Sequence, residues 1–535
     1  MERKNIFSLL AALLVAALLM GGAYPVSAAD ERVVTIGITS VWDTFMPLNT
    51  TSAHTDAVLE QMFDRLMVIN RDGTFEPRLA ESWEMNEEMD TITYHLNPEA
   101  KWHDGEPVTA DDVVFTYRLA TDPEVKHMRR IRLMYFAGTD DEGAALSEDS
   151  LEIEALDEHT VSVKLKQPMD PIAVYALTNR DIFILPEHLL KDMGKDEVIN
   201  SDFWQKPIGS GPFKFDSTIS GERVEFVANE DYYLGKPDFD RLIIRMMPAA
   251  NLYAGLKSGE IDIIMGGMSA SIPLQDWENV AKDESLASFS IPSLAYQYMS
   301  VNTSREYLPQ EIRQAMSLAI NRDVIINNLL KGQGVPAIGP LPPTHQYFNE
   351  EILPIEFDVE RAKTMVEEAG WDPNRVLQFL VPQGNKVREM SAPLIQQNLA
   401  AIGIKTEIQM MDFPTMLQAA RDGEYDLCLI GSAGSLDPAE CAPNVTVGYL
   451  NNFSQTDDPT IGDLAAKGAA SIDMEERVKY FNEYQTTFKE QSPLIFLYFS
   501  NELFAYNNSK LANVHPDVQD YAINRVPWTW EYIGE

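Results

Sequence analysis

The sequence predicts an α/β protein in two or three domains, with mixed sheets flanked by helices. Three observations carry that expectation. The chain has 535 residues, more than a single hydrophobic core usually needs. Its composition, 45% hydrophobic and 10% aromatic, is that of a chain able to bury sizeable cores. From about residue 312 to 432, helix-spaced and strand-like segments alternate, the pattern that lays helices over sheets. No fixed period repeats along the chain.

The elements follow in order. Arg3 and Lys4, an apolar run from Ile6 to about Met20, and small residues around Ala28 and Ala29 read as an export signal over 1–29. The run is short for a bilayer span. No cysteine adjoins the cleavage site, so a lipid anchor is not indicated. Residues 33–38 alternate as a strand, and the loop VWDTFMPLN leaves its end. A helix is expected over TDAVLEQMFDRLM, on Val58, Met62 and Leu66. TITYHLN from Thr91 is a strand. Asp104-Gly105 is a turn, and Thr109 caps a helix whose third residue is Asp112. Asp111 and Asp112 suit the positive end of that helix. The acidic stretch 139–150 is an exposed loop whose spacing does not fit a calcium-binding EF-hand, followed by strands in LEIEAL and TVSVKL.

From about Pro207, IGSGPFKF, VEFVANEDYYLG and FDRLIIRMM read as strands and turns. Gly259 stops a short helix before a strand at Ile261–Ile264, and another strand is expected from Leu294 to Asn302. IRQAMSLAI, RAKTMVEEAGW, VREMSAPLIQQNLAAIG, FPTMLQAA and VKYFNEYQTTFKE are helical. VLQFLV, KTEIQMM and YDLCLIG are strands, and the apolar stretch PLIFLYFSNELFAY follows the last helix.

Signals for chemistry are poor. The chain has neither H-E-x-x-H nor G-x-S-x-G, and its eight histidines are scattered without ligand spacing. His103, Asp104 and Glu106 form an acid/base cluster on paper, but they surround a turn that runs into a helix cap. No cofactor and no metal is indicated. The net charge of −40, from 82 Asp+Glu against 42 Lys+Arg, argues against a nucleic-acid partner. Arg129, Arg130 and Arg132 form a local basic patch, to be paired either with a ligand carboxylate or with surface acids. Cys428 and Cys441 would be exported, where a disulfide is permitted, and two buried reduced thiols are the alternative.

Taken in order, LAESWE at 79–84, KWHDGEPVTADDVVFTY at 101–117, GSGPFKF at 209–215, GEIDI at 259–263, IRQAMSLAINRDVII at 312–326 and the YDLCLIG run ending at Pro438 resemble the family-5 solute-binding proteins of ABC importers. That family holds the oligopeptide-, dipeptide- and nickel-binding proteins. The resemblance implies a periplasmic-binding-protein-like two-lobed clamshell. One lobe is expected over 30–75, 190–290 and 500–535, with an inserted domain at 76–189, and the other over 291–499. It also implies a peptide held between the lobes and delivered to a membrane permease. The protein would perform no chemistry, act as a monomer, and work in the periplasm or at the outer face of the cytoplasmic membrane.

Matched segments imply ligand-facing positions at Thr39, Trp42 and Phe45, at Met268, at Gln383, Gly384 and Asn385, and at Gly431, Ala433, Ser435 and Asp437. Each has a structural alternative: Trp42 as core, Gln383 and Asn385 as loop caps, Asp437 as a helix start. Peptide-binding relatives carry G-W-x-x-D at the last site, where the acid takes the peptide's amino group. This chain reads GSAGSLDP from Gly431, with Ser435 near the expected acid. At the third site Gln383 and Asn385 stand where dipeptide binders have Arg and Tyr. Two other functions stay open: a non-peptide solute such as an oligosaccharide stacked on Trp42, Tyr296 and Tyr298 or a metal chelate, and a secreted hydrolase.

Overall fold

The computed structural model describes residues 31–70, 74–174, 182–264, 270–515 and 527–534. The expected export signal lies outside them. Fifteen strands position the site: β1 (Val33–Ile38), β2 (Ala80–Met85), β3 (Thr91–Leu96), β4 (Ile153–Asp157), β5 (Thr160–Lys164), β6 (Phe213–Ile219), β7 (Arg223–Ala228), β8 (Arg241–Met246), β9 (Ile263–Ile264), β10 (Leu286–Val301), β11 (Gly334–Pro336), β12 (Val376–Pro382), β13 (Lys405–Met411), β14 (Leu427–Ser432) and β15 (Leu494–Asn507). The main helices are α1 (Ala53–Met62), α2 (Ala110–Thr121), α3 (Gln310–Ala319), α4 (Val359–Glu368), α5 (Lys386–Ala401), α6 (Phe413–Arg421), α7 (Thr460–Ala470) and α8 (Met474–Gln491).

One 11-stranded sheet runs in the order β13-β12-β14-β10-β15-β9-β1-β8-β7-β6, with β11 on β15. Its pairings are mixed. β1 is parallel to β8 and β9, and β12 is parallel to β13 and β14. The pairs β10/β14, β10/β15 and β7/β8 are antiparallel. Two sets of buried side chains divide this sheet. The first core draws on β1, α1, α2, β7, β8 and the far end of β15. The second part has a core on each sheet face, because side chains alternate along a strand. Met299 and Val301 of β10 and Leu427 and Leu429 of β14 face one side. Tyr296, Tyr298, Cys428 and Ile430 face the other. Strands covered on both faces explain the short apolar runs FLV at 379–381 and LCLI at 427–430.

β10 and β15 run through both cores. Leu286–Pro292 pairs with Asn507–Asn501, and Tyr296–Ser300 pairs with Phe499–Leu494, with a register shift between Pro292 and Tyr296. The expected strand began only at Leu294. Pro292 argues against a continuous strand in sequence, and here it sits where the register shifts.

A separate four-stranded antiparallel sheet, β2-β3-β5-β4, packs with α2. The cluster after β3 is scaffolding. His103 Nδ1 accepts the Gly209 N–H at 3.2 Å and its Nε2 bonds Gly211 O at 3.0 Å. Burial drives its pKa down to about 4. Asp104 pairs with His188 at 2.9 Å. Asp112 accepts the Thr109 N–H at 2.8 Å, the Glu187 N–H at 2.8 Å and Trp102 Nε1 at 3.2 Å, so the capping residue also joins three segments.

α1 ends at Met62, short of the expected Met67, because Phe63 turns to extended backbone. The chain then leads Asp64 inward. Its Oδ2 accepts both Tyr232 Oη at 3.0 Å and Tyr233 Oη at 2.9 Å. GSGPF closes against this corner: the Gly211 N–H donates to Met62 O at 2.7 Å, and a Cβ at Gly209 would sit 1.9 Å from that oxygen. Arg78 lies near Asp64 and stacks 4.8 Å from the Trp528 ring, which in turn packs on Tyr232. The terminal tryptophans therefore serve packing; Trp530 is also buried.

Burial raises the Asp64 carboxyl from 3.8 to about 6. A raised carboxyl favours the protonated fold, so its stabilising contribution is present below pH 4 and lost as pH rises to about 6. At ~1.4 kcal/mol per pH unit the swing is about 3 kcal/mol. Asp64→Asn keeps an acceptor without the charge. The stability of Asp64→Asn relative to wild type is expected to rise by roughly that amount between pH 3.5 and 7 in urea unfolding. A pH-independent difference counts against this account.

The disulfide between Cys428 and Cys441 does not form; both are buried free thiols. Cys428 on β14 packs its Sγ 3.1 Å from Met416 Sδ of α6. Cys441 instead lies by Tyr296 and Tyr484.

Candidate functional site

The last residues of β14, at Gly431, and loops leaving the ends of β1, β12 and β14 hold the described candidate residues, as is usual for ligand sites of α/β sheets. After β1, Thr39 Oγ1 lies 3.3 Å from His54 Nε2. Trp42 is half-buried and stacks on Phe45, with centroids 6.4 Å apart. Phe45 itself is buried, with its ring edge-on to Phe215 at 5.3 Å, which makes it part of the first core. Met268 lies outside the described residues.

After β12, Gln383, Gly384 and Asn385 are exposed. Asn385 works as a cap: its Oδ1 accepts the Arg388 N–H at 3.0 Å and starts α5. Gly384 adopts φ +102° and donates its N–H to Glu389 at 2.7 Å. That left-handed backbone is cheap only for glycine.

One turn further, Arg388 directs Nε and Nη2 to a single oxygen, Gln297 Oε1, at 3.0 and 2.8 Å. Among the described residues it makes no ion pair with a carboxylate. Burial pulls its pKa below the usual guanidinium range. Gly431 makes room for this arrangement, since a Cβ there would lie 2.2 Å from Gln297 Nε2. Sequence reading missed Arg388. The available signal was a cation in the first turn of a helix, where the macrodipole disfavours it.

After β14, Ala433 is exposed, but Ser435 and Asp437 are buried and committed within the chain. Ser435 Oγ donates to Glu440 Oε2 and its carbonyl accepts from His345 Nε2 at 3.1 Å. Asp437 caps a short turn by accepting the Ala439 N–H at 2.9 Å. Its other oxygen lies 3.3 Å from Nη2 of Arg477, which is 0% exposed. Arg477 also donates to Tyr347 Oη at 3.0 Å and Gly468 O at 3.0 Å. Burial raises the Asp437 pKa, and Arg477 opposes the rise.

The structure thus brings Gly431, Gln297 and Arg388 together and gives Ser435 and Asp437 partners of their own. The basic patch is used internally. Arg129 forks onto Asp56 at 3.2 and 2.7 Å, Arg130 approaches Glu142 at 3.9 Å, and Arg132 reaches Glu440 at 3.2 Å. Tyr296 and Tyr298 are 0% and 1% exposed, which removes them as sugar-stacking platforms. No group of His, Cys, Asp and Glu among the described residues is arranged to hold a metal ion.

Comparison with known proteins agrees with the architecture. The chain is 27% identical to Heme-binding protein A of Haemophilus influenzae, over 82% of each chain. It is 30% identical to Di/tripeptide-binding protein 4 of Pseudomonas aeruginosa, over 88% of each. A solved structure of the ABC transporter substrate-binding protein CtaP from Listeria monocytogenes superposes with a TM-score of 0.82 at 26% identity, covering 94% of this chain and 100% of that one. Residues 74–450 match the family described as bacterial extracellular solute-binding proteins, family 5 Middle. The chain belongs to that family, a family of binding proteins and not of enzymes.

Proposed function

We propose that the protein captures peptides between two lobes and hands them to the membrane permease of an ABC importer. In this reading residues 1–29 direct export, and the mature chain acts as a monomer in the periplasm or at the outer face of the cytoplasmic membrane. One lobe comprises 30–75, 190–290 and 500–535, with 76–189 inserted, and the other comprises 291–499. β10 and β15 form the connection, with movement centred on the register shift at Pro292–Tyr296.

The observation that carries the ligand class is Arg388. A half-buried guanidinium whose side-chain partner is a neutral amide has, among the described residues, no carboxylate supplying the counter-charge that burial normally demands. A ligand carboxylate supplies it through charge-assisted hydrogen bonds. Ser435 and Asp437 are engaged within the chain, so this reading does not require recognition of a free amino terminus there. A relative named for di- and tripeptides supports peptides. The relative named for heme keeps another carboxylate-bearing solute as the second reading.

Thermal-shift measurements with short peptides, N-blocked peptides, C-amidated peptides, heme and an oligosaccharide panel test it, because a ligand bound only by the folded state raises the melting temperature. Peptides with free carboxyl termini are expected to stabilise the protein, N-blocked ones included, and C-amidated ones to do so weakly. A response to heme or sugar alone overturns the peptide reading.

A further inference from the structure

Two residues beside the first core, Arg132 and Asp170, pair with groups that support the loop following β14, and Leu436 of that loop is itself buried in the first core. Arg132 stands beside Leu133 of the first core, and its Nη1 contacts Glu440 Oε1 at 3.2 Å. Glu440 accepts from Ser435 Oγ, and Ser435 Oγ accepts the Asp437 N–H at 3.2 Å. At the loop's other support, Asp170 stands between the first-core residues Met169 and Ile172. Its Oδ1 lies 3.8 Å from Nη2 of Arg477, the group that also pairs with Asp437 at 3.3 Å. Asp170 and Asp437 are 6% and 1% exposed, so this contact is poorly screened by solvent.

We infer that Asp170 and Arg132 are positioning residues: they set the ligand loop Gly431–Asp437 from the opposite core, Asp170 through Arg477 and Asp437, Arg132 through Glu440 and Ser435. The two cores and the loop then share one energetic unit. A change in how the cores sit alters the loop, and by reciprocity a ligand that prefers one loop geometry alters how the cores sit. Gly434 adds a steric link. Its φ is +72°, and a Cβ there would lie 2.1 Å from Leu294 O, inside the register shift of β10. The inference rests on reading that loop as ligand-facing.

Small-angle X-ray scattering of wild type, Arg132→Gln, Asp170→Asn and the exchange Arg132→Glu/Glu440→Arg reads the arrangement of the cores without any ligand. Calorimetric titration with the best peptide of the thermal-shift panel reads affinity. Wild-type scattering is expected to follow the arrangement described here. Arg132→Gln and Asp170→Asn are expected to depart from it and to bind roughly 5-fold more weakly, and the exchange to recover both properties. Recovery is what a merely destabilising change would not give. Either readout unchanged in both single variants, or an exchange that stays like Arg132→Gln, overturns the inference. If no peptide binds wild type, the peptide reading fails, and the scattering arm alone decides the coupling.

Discussion

Arg388→Gln is expected to bind carboxylate-bearing peptides roughly 10- to 100-fold more weakly than wild type, since a hydrogen-bonded charge contributes about 1.5–3 kcal/mol. The loss should be confined to ligands with a free carboxylate. C-amidated peptides should bind wild type and variant alike, which separates lost charge recognition from general damage. Folding should suffer little, because among the described residues the Arg388 guanidinium donates to a neutral amide, Gln297, and pairs with no carboxylate, and removing a poorly compensated cation relieves desolvation. Isothermal calorimetry on the two peptide series checks this. An equal loss for both series would place Arg388 outside ligand recognition.

The largest effect on stability is expected at Arg477. Arg477→Met removes the cation between Asp437 and Asp170 and leaves two carboxylates buried. Breaking a buried pair in this way costs about 3–5 kcal/mol, read as a lowered midpoint of urea unfolding. Adding Asp437→Asn to Arg477→Met should recover part of it, because one orphaned charge disappears. Asp437→Asn alone should cost less than Arg477→Met, since Arg477 keeps Tyr347, Gly468 and Asp170. A double variant no more stable than Arg477→Met would show that packing of the arginine stem, and not charge, sets the loss.

The parts of this architecture readable in sequence are those written in local periodicity. β1, β12 and β14 appear as apolar or alternating runs, and the Thr109–Asp112 cap is a local motif present in the fold. The early end of α1 was not readable. The chain just past it is held by Tyr232 and Tyr233, some 170 positions from Asp64. The full length of β10 was hidden because its first half pairs with β15, more than 200 positions on. The candidate site divides the same way. Asn385 reads as a possible cap from its position, whereas Arg388 is notable only once the described residues around it are seen to offer a neutral amide and no carboxylate partner. Asp437 reads locally as a turn start; that it also faces Arg477, 40 positions away, is a tertiary fact.

The two free cysteines bear on where this fold can exist. Burial pushes both thiols up to about 12, so almost no thiolate is present near neutrality and neither sulfur is primed for exchange or oxidation. With only these two cysteines in the chain, its integrity is indifferent to the redox poise around it. The same fold can form in a reducing or an oxidising compartment, without an isomerase to sort its sulfurs.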